Sequence, residues 1–417
     1  METAVVIGGG VIGMATALQL QKNKVQVVVV DPLTPIRPAS WGNAGHIAIE
    51  QIAPIASLAT LRSVPRRLFS PNGGLSLPIR DIGSWAPFAL RLLRSSAPRR
   101  FEAGRRALAL LMQEAMPAWR RFVAALGAPE LLLQEGHFVL WGSREKAVAG
   151  RAAWQSADTG TTHFRDADES ELALLSAPIG REIGGAIRCV GSGQISDPDD
   201  LAEAMKTCLS AAGGVLHRGS ARAVLLEKSR ASVLLEDETR LKAALVLVAA
   251  GIGSRSLMEG LNYRVPMIAE RGYHVQYPGA VLPGNLPPIV FEDRAMIVTR
   301  FRSGVRVSGH LEFSAPLRPA DPGKWERLRA HVKALNLPLE APGETWMGAR
   351  PTLPDYLPAI GRSRRASNLF YAFGHQHLGL TLAPITAELT AALALGRSPA
   401  VSLTPFDLER FQTGAIP

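Results

Sequence analysis

Two cysteines in 417 residues, Cys189 and Cys208, form no C-x-x-C pair and no cluster able to hold zinc or an iron–sulfur centre. They read as inert buried thiols of a cytoplasmic chain. No apolar run reaches the ~18 residues of a membrane helix. The start, Met1-Glu2-Thr3, lacks the basic region of a secretory signal, and a glycine motif follows at once. Internal repeats and low-complexity segments are missing too. The composition, 47% hydrophobic and 20% charged, is that of a globular protein long enough for two or three domains. Acids are scarce in one place: between Ile52 and Gln113 ten arginines (62, 66, 67, 80, 91, 94, 99, 100, 105 and 106) face only Asp81 and Glu102. This stretch reads as a solvated basic face, or as a contact with an anionic membrane or a partner subunit. No nucleic-acid motif accompanies it.

The first thirty residues predict β-α-β: a buried strand Ala4–Ile7, a turn 8–13, a helix 14–22 with Ala15, Leu18 and Leu20 inward, and an apolar strand 25–30. Gly8-Gly9-Gly10-Val11-Ile12-Gly13 fits G-x-G-x-x-G, and Asp31 follows eighteen residues past Gly13. A lone match is weak. Between a strand and a helix, with an acid ending the next strand, it predicts a dinucleotide site. Gly8 permits the turn, Gly10 the approach of a pyrophosphate, and Gly13 close packing of helix on strand. Val11 and Ile12, within the turn, are counted among the cofactor-binding residues, and the helix N-terminus that follows faces the phosphate charge. Asp31 would accept from the ribose hydroxyls. The motif alone does not separate FAD from NAD.

Further along, 85–126 reads as largely helical, His137–Trp141 as a strand, and Asp197-Pro198 as a helix start running to about Ala212. Strand-like runs follow near 222–228, 231–236 and 245–250, then at 273–277 and 296–307. A helix is expected near 322–335. The end of the chain reads as a strand (369–373), a glycine turn and a helix (about 381–395). This last unit and the front β-α-β are expected to share one domain, which the chain leaves and re-enters.

Several segments then join the glycine motif in order: Ser40-Trp41-Gly42-Asn43-Ala44-Gly45-His46, Val246–Ser254, Arg271-Gly272-Tyr273-His274, Trp346–Gly361 and Gly374–Thr381. Together they resemble the D-amino-acid oxidase superfamily of flavoproteins, most of all the bacterial D-amino-acid and D-hydroxyproline dehydrogenases. The resemblance spans nearly the whole chain and is weakest over about 60–190. It implies that Ser40, Asn43, Ala44, Gly45 and His46 line the flavin. It further implies that Ala249-Ala250-Gly251 pass close to the ribityl or pyrophosphate and that Val224 lies on the adenine side. Gly348, Gly374, His375, Gln376, His377, Leu378, Gly379 and Thr381 would hold the ring. Arg350 matches the arginine that clamps the substrate carboxylate; a guanidinium suits that task because it offers two parallel donors. Tyr273 is expected to add a hydroxyl to the same carboxylate, and His46 to stand beside the ring. His375-x-His377 lacks a clear third ligand, so no metal is expected. Relatives carry glycine where Gln376 stands. Covalent relatives carry a cysteine within 348–354, and none is present here, so FAD is expected to bind non-covalently.

The implied fold is α/β, a Rossmann-like FAD domain (1–60, 196–265, 345–417) with a substrate domain on an antiparallel sheet (61–195, 266–344). The implied reaction is oxidation of the Cα–N bond of a D-amino acid, D-proline or D-hydroxyproline among them, by hydride transfer to the flavin. A glycine- or sarcosine-type amine oxidase and the FAD subunit of a larger electron-transfer complex are the alternatives. The expected partners are an amino-acid substrate and an acceptor, whether oxygen, a quinone or an electron-transfer protein. The expected location is the cytoplasm, with the basic stretch able to bring the chain to the inner face of the membrane.

Overall fold

The structure, a computed structural model, describes residues 3–32, 38–69, 73–179, 183–340 and 342–412. The front unit is β1 (Thr3–Ile7), α1 (Val11–Lys22) and β2 (Gln26–Asp31), with β1 and β2 parallel. β1 is apolar without alternation because both of its faces are covered: Ala4 and Val6 pack in one core with α1, while Val5 and Ile7 pack in another. The sheet runs Val215–Arg218, β2, β1, Leu245–Val248, Leu369–Phe373, Ala359–Arg362. All its pairs are parallel except the last. The chain therefore does return to its first sheet at the end. Beyond Leu369–Phe373, Gly374 turns at φ +81° and the helix Gly379–Ala394 packs beside α1.

That helix departs from one expectation. By length and composition Gln376–Ala394 is apolar enough to span a membrane, but two-thirds of it is buried within the protein. It lies in the core against α1 and a 28-residue helix, Pro98–Ala125, whose Trp119 Nε1 donates to the carbonyls of Leu380 and Thr381. Its apolarity is that of a largely buried core helix, with Glu388 on its outer side paired to Arg121.

A second sheet orders Glu344–Thr352, Ile268–Pro278, Gly304–Ser314, Met296–Phe301, Ile289–Phe291, His137–Trp141, Gly185–Val190 and His163–Asp166. It is mostly antiparallel, with two parallel pairings: Ile289–Phe291 on His137–Trp141, and Leu75–Ser76 on Gly304–Ser314. The run 296–307 is a hairpin, not one strand, because Arg302 and Ser303 make its turn. The strand Glu344–Thr352, expected largely beyond the domain boundary at 345, belongs to this second sheet. Two helices, Arg144–Ser156 and Glu169–Ile179, were not foreseen; the first is capped by the Ser143 hydroxyl accepting from the Lys146 amide. Asp197 caps its helix as expected, accepting from the Asp199 amide. Cys189 is buried, whereas Cys208 is only half-buried, its Sγ 3.6 Å from the Leu126 carbonyl.

Candidate active site

The turn from β1 into α1 is held by backbone geometry. Gly8 sits at φ +110°, and a Cβ there would come within 2.5 Å of the Ala249 carbonyl oxygen. A Cβ on Gly13 would lie 2.0 Å from the Gly8 carbonyl oxygen. Gly10 differs, since its Cβ would meet only the Ser40 hydroxyl, at 3.1 Å. No acid occupies the first turn of α1 and Gly10 supplies no side-chain cap. The Val11 amide donates to Ser40 Oγ at 3.1 Å. Val11 is buried and Ile12 half-buried. The helix start thus leaves a cradle at Gly10 that a phosphate fits. Asp31 ends β2 and accepts from the Gly9 amide at 2.7 Å, so one of its oxygens secures the turn itself. Ala249 is buried and Ala250 half-buried beside this turn; Gly251 has φ +55° and open space where a Cβ would be. Val224 is buried in the core that contains Ile7 and Val30.

The 40–46 loop is braced by the second sheet. Asn43 Oδ1 accepts from the Gly45 amide at 2.8 Å, and Arg306 donates to the carbonyls of Trp41 and Asn43. Arg306 is fixed in turn by Gln276 Oε1 at 2.8 Å. Gly45, at φ +75°, makes room for the Phe301 ring, and half-buried Ala44 precedes it. Gly42 and Gly348 both make room for Trp346, on whose ring their Cβ atoms would fall at 2.1 and 2.2 Å. Trp346 stacks on His274, with centroids 4.8 Å apart, and His274 Nδ1 lies 3.0 Å from the Gly42 carbonyl. Gly348 is therefore needed to make room for Trp346.

At the C-terminal turn the side chains diverge. His375 is buried and its Nε2 meets Thr386 Oγ1 at 3.0 Å, inside the helix packing. Burial pushes its pKa down to about 3. His377 instead meets Gln51 Oε1 through Nε2, at 2.6 Å. Gln376 adopts φ +48°, a left-handed conformation that favours glycine, which accounts physically for the glycine of the relatives. Its Nε2 donates to the Tyr356 carbonyl at 2.8 Å, while its buried Oε1 has no partner. Thr381 accepts from the Ala48 amide at 3.0 Å. Leu378 precedes Gly379, and the helix that begins there has no side-chain cap and no acid in its first turn. Two helix starts whose N-cap residues supply no side-chain cap, and an orphaned polar atom, suit a ligand with a diphosphate and a polar ring edge.

Arg350 has the most developed surroundings. It stands directly opposite Glu270 in the antiparallel pair, and its guanidinium lies over Gly272, where any Cβ would fall 2.4 Å from Nη2. Nη1 is 3.5 Å from Glu270 Oε1. Glu270 is fully buried and also accepts from Thr352 Oγ1 at 3.2 Å and from Tyr356 Oη at 3.1 Å. Tyr356 is held at φ +57°, an uncommon and strained conformation for a bulky residue. Arg350 keeps 27% of its side chain exposed. Arg67 is the second cation here: together with burial, Arg350 and Arg67 hold His377 near a pKa of about 3, so its imidazole is neutral. Glu270, Tyr356, Thr352 and Arg67 were not found from the sequence; only the tertiary contacts mark them.

One expectation is corrected. Tyr273 follows Gly272, so it points to the opposite face of the strand from Arg350. Its hydroxyl donates to Glu312 Oε1 at 3.2 Å and accepts from the Asp321 amide at 3.3 Å, and its ring packs edge-on to Trp325. It cannot share the carboxylate. His46, expected beside the flavin ring, packs against His137, with ring centroids 4.4 Å apart, and its Nε2 is 4.0 Å from Glu50 Oε1. His137 is oriented by Ser192 Oγ at 2.7 Å. Donor atoms of His46, Glu50 and His137 lie within 4.8 Å of one another, a grouping that no sequence spacing announced. Burial drives the His46 pKa down to about 4 and the Glu50 pKa up to about 8, so all three side chains are held neutral at pH 7.

A parallel sheet with a glycine turn, roofed by a second sheet that offers a cation, defines a dinucleotide-dependent oxidoreductase. The sequence matches the FAD dependent oxidoreductase (DAO) family over residues 3–393, and the chain belongs to that family. It is 27% identical to a D-amino-acid oxidase of Bradyrhizobium diazoefficiens, over 97% of this chain and 98% of that one. It is 26% identical to a D-amino acid dehydrogenase of Cereibacter sphaeroides, over 98% and 95%. The crystal structure of glycine oxidase from Geobacillus kaustophilus superposes with a TM-score of 0.74 at 20% identity, covering 99% of this chain and all of that one. The cofactor is FAD, and the protein is an FAD-dependent amino-acid oxidoreductase.

Proposed function

We propose that the protein oxidises the Cα–N bond of a D-amino acid, with Arg350 gripping the substrate carboxylate. The observation that carries this reading is the fixed, half-exposed guanidinium over Gly272, backed by buried Glu270. FAD, when bound, supplies the acceptor for the Cα hydride. The chain itself supplies position. Antiparallel pairing with 268–278 sets the height of Arg350, Gly272 gives its guanidinium room, and Glu270 limits its rotation. His377 is neutral, so positive charge at this place rests on Arg350 and Arg67, and an anionic substrate group is what they attract. The D-amino-acid relatives support the substrate class.

The test is anaerobic bleaching of the purified yellow protein by D- and L-amino acids, glycine, sarcosine and D-proline. Fastest bleaching by a D-amino acid supports the reading, and fastest bleaching by glycine or sarcosine replaces it with a glycine- or sarcosine-type amine oxidase. Arg350→Lys keeps the charge but loses the two-pronged grip, so kcat/KM should fall by more than about tenfold. Arg350→Ala should lose still more, with flavin content intact. Near wild-type efficiency of Arg350→Ala on the best D-amino acid would falsify the clamp.

A further inference from the structure

We propose that the helix following the first arginines of the basic stretch docks the protein on an anionic phospholipid surface. In chain order after α1, α2 is Leu58–Phe69 and α3 is Ile82–Ser95. Both pack against the strand pair formed by Leu75–Ser76 and Gly304–Ser314. α3 has one anchored side: Phe88 is buried with Ala56, Ile268, Phe313 and Tyr356, and Trp85 and Leu92 pack beside it. Its other side is apolar as well. Ile82, Leu90 and Leu93 are 52%, 63% and 54% exposed, at spacings that align them along one stripe with Ala86. Ile79, one short turn earlier, is 84% exposed, as is Phe69 at the end of α2. Single exposed aliphatics need no explanation, but a helix that buries one apolar side and presents a second to solvent does.

The charge beside this stripe is uncompensated. The two local acids are engaged elsewhere: Asp81 is buried on Ser314 and Arg318, and Glu102 bridges Arg105 and Arg106. Arg91 is partly desolvated and also feels like-charge repulsion from Arg264, Arg255 and Arg94. Among the described residues Arg255 is paired with Glu259, and no carboxylate pairs with Arg91, Arg94 or Arg264. A like-charged group of this kind is relieved by an external anion. Lipid phosphates meet that need, and the adjoining aliphatic side chains enter the acyl boundary, the two contributions that hold interfacial helices. A nucleic acid or an acidic polypeptide would satisfy the arginines and leave Ile82, Leu90 and Leu93 unused. Because the inner side of α3 contacts Tyr356, which bonds Glu270, the docked face lies one helix thickness, ~10 Å, from the surroundings of Arg350.

The experiment is sedimentation of the FAD-loaded protein with vesicles of phosphatidylcholine alone or mixed with phosphatidylglycerol. Expected is binding to the mixed vesicles at low salt, at least about tenfold tighter than to phosphatidylcholine. It should be released at 1 M salt, where screening shortens to ~3 Å. Leu90→Gln with Leu93→Gln, and separately Arg91→Gln with Arg94→Gln, should each weaken binding about tenfold or more at unchanged FAD content and oxidation rate. The arginine pair, at the surface, serves if the leucine pair disturbs folding. A protein that stays in solution with anionic vesicles at low salt overturns the proposal. So does a folded leucine variant that binds as well as wild type, since charge alone then makes the contact. Neither outcome bears on the substrate, which the bleaching assay decides separately.

Discussion

At the residue scale the most consequential side chain is Glu270, a fully buried carboxylate placed behind Arg350, the proposed carboxylate clamp. Its bonds to Thr352, Tyr356 and Arg350 make it a positioning residue. Glu270→Gln keeps the shape and removes the charge. Arg350 then attracts a carboxylate at least as strongly but is held less firmly, so kcat should fall about tenfold without a rise in KM. A rise in KM at constant kcat would show that Glu270 only shapes the fold. Glu50 makes a second prediction. Its pKa is raised by burial from 4.5 to about 8, so the folded state holds a proton that the unfolded state has released across that range. The stability it contributes is complete below about pH 4.5 and is lost as pH rises through about 8. His46, lowered to about 4, acts in the opposite sense, costing stability as pH falls below 6.5. Glu50→Gln should therefore gain melting temperature relative to wild type between about pH 5 and pH 8. A difference that stays flat across this interval would show that Glu50 is not buried in its neutral form.

At the element scale the turn from β1 into α1 separates two glycine roles that one motif contains. Gly13 leaves no room, because its Cβ would meet backbone at 2.0 Å, whereas Gly10 faces the open cradle. Gly13→Ala should lower the melting temperature of the flavin-free protein, since strand and helix must separate. Gly10→Leu should leave that melting temperature nearly unchanged and abolish flavin content, because its side chain would fill the phosphate position. Circular-dichroism melts with flavin absorbance distinguish the two, and a Gly10→Leu protein that retains its flavin would remove the cradle from the site.

At the scale of the whole molecule, the fold brings together the front turn, the 40–46 loop and the C-terminal turn, the segments proposed to hold FAD, from distant parts of the chain. Binding should stabilise all of them at once. With free FAD at a hundred times its Kd, stability should rise by ~2.7 kcal/mol, read as a higher melting temperature. Acid precipitation should release FAD to the supernatant, since no cysteine stands within 348–354. Colour that stays with the precipitated polypeptide would overturn non-covalent binding.

The sequence by itself determined the local matters. The glycine spacing, the apolar strands and the Asp197 cap are read from neighbours in the chain, because turn geometry and strand burial are short-range demands. The clamp role expected of Arg350 came from the resemblance of the Trp346–Gly361 segment to the family, not from local geometry. Tertiary structure decided what faces what. A one-residue step along a strand reverses the side-chain direction, so Tyr273, adjacent to Gly272, lies on the far face with Glu312 while Glu270 lies behind Arg350. Arg67 reaches the site from α2, and His46 meets His137 and Glu50. The segment Gln376–Ala394 could span a bilayer by length and composition; its burial against α1 and Pro98–Ala125 makes it a core element. Each of these outcomes depends on elements far apart in sequence, whose packing no local pattern encodes.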